Sequence, residues 1–132
     1  MKKIVSALLI LFWCQTASAN TLDGVWELIS GEYVNEKGEL VDYESIELHS
    51  IKIIANSHFS FTSMKGDRFW ASGAGTYEMA NGKYTEKLQH NSFGEKPGTT
   101  FTFDTKVEEN YWYNTRWKGE KRVEYEVWRK ID

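Results

Sequence analysis

The chain has 132 residues, of which 41% are hydrophobic and 27% charged, with a formal net charge of −3. That length holds one domain, the apolar share is too high for a disordered chain, and the small excess of acids argues against a nucleic-acid partner. One proline and ten glycines exclude collagen-like and proline-rich architectures.

Met1-Lys2-Lys3 gives a basic start, Ile4 to Trp13 is an apolar run broken only by Ser6, and Ala17-Ser18-Ala19 supplies small residues behind it. This is the pattern of a secretory signal peptide, and the run is shorter than the roughly 20 apolar residues of a spanning helix. Cleavage is expected after Ala19, leaving residues 20–132 as a periplasmic or secreted domain with no membrane span. Cys14 superficially resembles a lipoprotein site, but that chemistry needs a small residue before the cysteine and Trp13 is large. Loss of the leader removes Cys14, the one cysteine, so no disulfide staples the remaining 113 residues. The loss of Lys2 and Lys3 takes the net charge from −3 to −5.

Beyond the leader, short alternating runs separated by turn residues predict strands. Gly24 to Val34 is the first, with Trp26 and Leu28 on one face, and Asn35-Glu36-Lys37-Gly38 turns the chain. Leu40 to Leu48 reads as a short strand or a one-turn helix. Ser50 to Ala55, with Ile51 and Ile53 together, and His58 to Ser63, with Phe59 and Phe61 together, flank a tight turn at Asn56-Ser57. Met64-Lys65-Gly66-Asp67 is the next turn. Arg68 to Met79 carries Gly73 and Gly75 on one face, where glycine permits a bend or a close approach. Asn81-Gly82 is the strongest hairpin signal, and Lys83 to His90 follows it. Asn91 to Gly98 is a polar loop. Thr99 to Val107, Tyr111 to Trp117 and Lys121 to Lys130 complete the series.

Eight strands, or nine with the Leu40 segment, recur at about ten-residue spacing, which predicts an all-β, up-and-down antiparallel barrel of eight strands. Closure removes sheet edges, and a barrel of this size can hold one small ligand. A two-sheet sandwich is the structural rival.

Asp23-Gly24-Val25-Trp26-Glu27-Leu28 resembles the Gly-x-Trp opening of lipocalins and related calycin barrels. Leu28-Ile29-Ser30, Ile51-Lys52-Ile53-Ile54 with His58-Phe59, Gly73-Ala74-Gly75-Thr76-Tyr77 and Glu126-Val127-Trp128 extend the likeness to small lipocalin-like domains of secreted bacterial proteins. The chain is shorter than most animal lipocalins and lacks their C-terminal helix and disulfide. The resemblance implies a barrel with a pocket, and a tryptophan at its closed end, Trp26, covered by a basic side chain of the last strand, Arg129 or Lys130. Arg129 is the one assigned to that barrel base.

Chemistry-bearing patterns are few. His49, His58 and His90 are scattered without metal-ligand spacing, so no metal is expected. His58 alternates with Phe59 and should face solvent, whereas His90 shares a face with Tyr84, Glu86 and Leu88. No nucleophile elbow and no phosphate loop is present, and no cofactor is expected. Glu86 and Glu124 or Glu126 are carboxylates that neighbouring strands can bring together, but spacing alone does not place them. The last two strands are amphipathic on both faces. One phase buries Tyr113, Tyr125 and Val127 and solvates the charges. The other lines a polar cavity with Arg116, Glu124, Glu126 and Trp128.

Five Trp, seven Tyr and six Phe lie beyond the leader, enough to fill a small barrel and to line an apolar site. The expected function is non-catalytic binding of a small apolar or amphiphilic molecule, with Tyr77, Tyr84, Phe101, Tyr113 and Arg116 lining the site. The alternative is an interaction or enzyme-inhibitor module with a filled barrel, acting through exposed loops such as Asn91 to Thr99. An enzyme comes last, because no catalytic constellation is visible.

Overall fold

A computed structural model describes residues 22–132; the predicted leader, with Cys14, lies outside the described residues. Within them the strands are β1 (Gly24–Val34), β2 (Leu40–Asp42), β3 (Leu48–Ala55), β4 (His58–Lys65), β5 (Arg68–Ala80), β6 (Lys83–Asn91), β7 (Thr100–Glu108), β8 (Tyr111–Lys118) and β9 (Lys121–Lys130). One turn of 3₁₀ helix, Glu44–Ile46, separates β2 from β3. Both readings of the Leu40 segment are thus realised in succession.

Each long strand pairs antiparallel with the next, and β9 returns to pair with β1, from Trp26 opposite Lys130 to Tyr33 opposite Glu124. Eight strands therefore close an up-and-down barrel, and the sandwich is excluded because β1 and β9 leave no open edges. β2 adds a short extension along the upper part of β1.

Turn chemistry sets the registers. Asn56-Ser57 and Asn81-Gly82 both hold left-handed backbone, with φ of 49° and 60°, then 53° and 71°. Such two-residue turns match the right-handed twist of the strands they join. Met64 and Lys65 belong to β4, because Lys65 pairs with Arg68 and only Gly66-Asp67 remain to turn. The two strand glycines act as expected. Gly75 packs so closely on the Lys87 carbonyl that a Cβ has no room. It does so where β6 bulges at Gln89, between the pairs Ala74–His90 and Gly75–Leu88. That bulge breaks the alternation that grouped His90 with Leu88, and His90 is exposed.

Three more bulges fall at Ile29 in β1, Trp70 in β5 and Val123 in β9. A bulge re-aims the side chains beyond it. In β1 the inward set therefore passes from Trp26 and Leu28 to Gly31 and Tyr33.

One end of the barrel is plugged by buried aromatics. The Trp26 indole donates to the Leu22 carbonyl at 2.8 Å and meets Trp112 edge-on at 5.4 Å between ring centroids. Trp112 in turn packs edge-on against Tyr84 at 4.8 Å, with Ile54, Phe59, Tyr77, Phe103 and Trp128 completing the cluster. The basic cover over Trp26 is Lys130, whose Nζ lies 5.8 Å from the ring centroid. Arg129 is one residue out of phase; it points outward and pairs with Glu27 at 2.8 Å. The expected Arg129 cover is corrected accordingly, since strand alternation admits only one of the two neighbours to the inner face.

Candidate ligand pocket

Above the aromatic plug the interior becomes polar. The inner face of β3 reads Leu48, Ser50, Lys52, Ile54, all buried, so Ile51 and Ile53 face outward. Lys52 is 3% exposed and Glu86 6%. The Lys52 ammonium donates to Glu86 Oε1 at 2.7 Å, and the Tyr84 hydroxyl donates to the same oxygen at 2.9 Å. Lys52 Nζ also lies 4.8 Å from the Trp128 ring centroid and 5.2 Å from that of Trp112, the nearer two of its four cation–π contacts, with Tyr84 and Phe61 the others. From the last strand Glu126 faces the same space and accepts the Trp128 indole N–H at 2.8 Å. The Ser50 and Ser63 hydroxyls are hydrogen-bonded 2.7 Å apart.

The phase of β8 and β9 is the cavity-lining one. Trp112, Asn114 and Arg116 point in from β8, and Glu124, Glu126 and Trp128 from β9. Arg116 Nε donates to Glu124 Oε2 at 2.9 Å, and its guanidinium carbon lies 5.3 Å from the Phe101 ring centroid. Arg122 escapes this face because the bulge at Val123 turns it outward, where it pairs with Glu32. The solvated-charge reading fails because the inward charged groups find partners inside, Arg116 with Glu124 and Glu126 with the Trp128 indole.

These groups surround a cavity of about 370 Å³ that opens at the end opposite the plug. Its upper wall is aromatic: Tyr33 stacks on Tyr43 at 5.7 Å and lies 6.0 Å from Trp70, and Phe93 lies 6.2 Å from Phe61. Trp70 and Phe93 remain 41% and 45% exposed at this rim. Gly31, with φ of 147°, leaves room for the Tyr43 ring, which a Cβ there would strike. Tyr43, Leu28 and Leu48 also line a second recess, with Asp42, Glu44, Glu47 and His49. The Tyr43 ring thus forms part of the partition between the two spaces.

Electrostatics across the cavity share one sign. Burial, then the Glu126 charge, push the Glu124 carboxyl up to about 8. Burial raises the Tyr43 phenol, helped by Glu126 and Glu124. Burial alone would lower Lys52, but Glu86 and Glu126 outweigh it and hold the ammonium above the ordinary lysine value. Tyr84 is raised by burial and by Glu86. Every shift favours the more positive form: burial is the larger cause for Glu124, Tyr43 and Tyr84, and the neighbouring carboxylates for Lys52.

Of the five residues expected to line the site, Phe101 and Arg116 do so. Tyr77 and Tyr84 are buried one layer deeper, in the plug, because their positions lie near the β5–β6 turn at the closed end. Tyr113 alternates with the buried Trp112 and Asn114 and faces outward beside Tyr111, 6.4 Å away. Lys52 and the rim aromatics Tyr33, Tyr43, Trp70 and Phe93 were not anticipated. Asn114 Nδ2 is a buried donor without a partner among the described residues, while Asn114 Oδ1 accepts the Thr105 hydroxyl at 2.7 Å. Among the described residues no group of three His, Cys, Asp or Glu side chains is arranged to hold a metal ion, and no helix is long and apolar enough to cross a membrane.

Comparison with protein-family models, with curated proteins and with solved structures finds no match for this chain.

Proposed function

We propose that this chain is a non-catalytic binding protein that holds a small apolar or amphiphilic molecule in the barrel cavity. In this reading it is a small lipocalin-like domain, exported to the periplasm or beyond after loss of residues 1–19. The observation that carries the proposal is the cavity itself: about 370 Å³ lined by aromatic and polar side chains above an aromatic plug. That volume falls at the low end of ligand pockets, roughly 300–1,000 Å³, and its combination of aromatic walls with a few converging polar groups is what such pockets present. The exposed Trp70 and Phe93 rings at the rim suit entry of an apolar body. A filled-barrel interaction module has less support, because the side chains leave a cavity of that size between them. The carboxylates are bonded to Lys52, Tyr84, Arg116 and Trp128 rather than aimed at a shared reacting position, which favours binding over catalysis.

The test is to denature protein purified from its native host, analyse released small molecules by mass spectrometry, and titrate the emptied protein with an amphiphile panel by tryptophan fluorescence. A released compound, or saturable quenching that Trp70→Ala weakens several-fold, is the expected result. No released compound together with no saturable quenching would count against the proposal.

A further inference from the structure

We propose that the pocket selects a protonated amine: a compact amphiphile whose apolar body lies among Tyr33, Trp70, Phe93 and Phe101 and whose ammonium end meets Glu124 and Glu126. This rests on the binding reading above and specifies the polar end of its ligand.

The charge count of the lining is the first ground. Once Glu124 is ionised, above about pH 8, three carboxylates, Glu86, Glu124 and Glu126, face the cavity against two cations, Lys52 and Arg116; below that the Glu124 proton balances the count. Both cations are already engaged, Lys52 by Glu86 at 2.7 Å and Arg116 by Glu124 at 2.9 Å. Glu126 is 9% exposed; it accepts the Trp128 indole N–H, shares a hydrogen bond with the Glu124 carboxyl and feels the Lys52 ammonium, but among the described residues it makes no direct ion pair. A buried carboxylate with no cation in direct contact is costly, and an ammonium ion supplies both that charge and three donors.

Placement is the second ground. Glu124 and Glu126 stand two apart on the inner face of β9, across from Tyr33 and Gly31 of β1 and from Arg116 and Asn114 of β8. An amine entering between the rim aromatics reaches this pair after passing Tyr33 and Trp70, whose ring faces attract cations. A carboxylate head would have to take Arg116 from Glu124 and then sit beside three carboxylates. The single inward arginine, which at first sight marks a carboxylate site, is spoken for. The cavity volume suits a short chain or one or two rings rather than a full-length lipid.

The protonation pattern agrees. Burial, then Glu126, hold a proton on Glu124 at neutral pH. That proton stands where an incoming cation would neutralise the site. The groups facing Glu124 are Arg116 from β8, Tyr33 from β1, Tyr43 ahead of the 3₁₀ turn, Lys52 from β3 and Glu126 on its own strand.

Octylamine, octan-1-ol and octanoate share one tail and differ in head group, so titrating each into the purified protein at pH 9, where Glu124 is ionised and the amine still protonated, isolates the head. The amine is expected to bind about tenfold more strongly than the alcohol, with octanoate weakest. Glu126→Gln should shrink the amine-to-alcohol ratio several-fold. Wild-type protein supplies a readout free of folding defects: its octylamine affinity should rise several-fold from pH 6 to pH 9 as Glu124 loses its proton. Equal binding of all three probes, or preference for octanoate, overturns the amine inference and leaves the pocket reading standing. Failure of all three to saturate overturns both.

Discussion

Replacing Lys52 with methionine is expected to destabilise the barrel by about 3–5 kcal/mol, the range for breaking a buried ion pair by removing one partner. The Lys52 and Glu86 side chains are only 4% and 7% exposed, and the ammonium bridges Glu86 to the Trp112 and Trp128 rings. Without it Glu86 keeps the Tyr84 hydroxyl as a neutral donor and an uncompensated charge in the barrel centre. The melting temperature should fall by well over about 10 °C. Adding Glu86→Gln removes the orphan charge while retaining an acceptor for Tyr84, so the double variant should recover about 2 kcal/mol or more. Urea denaturation of the three proteins checks this; a single-variant loss below about 1 kcal/mol, or no recovery in the double, contradicts the buried-pair description.

The second large effect is a pH dependence of stability. Glu124 is held near 8 in the folded barrel against an ordinary value of 4.5. Between those values the folded chain carries a proton that the unfolded chain has released. Stability therefore falls as pH rises from about 5 to about 8 and levels off above, which is opposite to the behaviour of a salt-bridged carboxylate with a depressed value. The loss is on the order of 3 kcal/mol, less than the shift converts to at about 1.36 kcal/mol per unit, because the side chain is 21% exposed and partly screened. Glu124→Gln should flatten this slope and leave the variant more stable than wild type at pH 8. Denaturation midpoints at pH 5.5, 7 and 8.5 decide; parallel slopes in the two proteins would refute the assignment to Glu124.

The barrel was legible in the sequence because its turns carry specific chemistry. Asn56-Ser57 and Asn81-Gly82 fixed two hairpins, and Gly73 and Gly75 marked the position where β5 crowds its neighbours. The interior was harder to read, for two physical reasons. First, the usual assignment of apolar residues to the inner face inverts in β3: Ile51 and Ile53 face out, while Ser50 and Lys52 serve a polar cavity. Lys52 had a signal, as a charged residue in phase with Ile54, but its buried partner Glu86 is 34 residues away. Second, bulges at Ile29, Trp70, Gln89 and Val123 shift the phase in four strands, and no local pattern announces them. They explain why Arg122 leaves the face that holds Glu124 and why Tyr33 joins the rim. The depth of a residue along its strand was also hidden, which is why Tyr77 and Tyr84 had the right face but belong to the plug.

Ligand entry at the open end of the barrel can be followed through the indole N–H resonances in an octylamine titration by two-dimensional NMR. Trp70 at the rim and Trp128 bonded to Glu126 should shift and saturate together. Trp117, outside the barrel and bonded to Asp104, should stay in place. Movement of Trp117 with Trp70 and Trp128 unmoved would place the ligand on the outer surface and contradict the account.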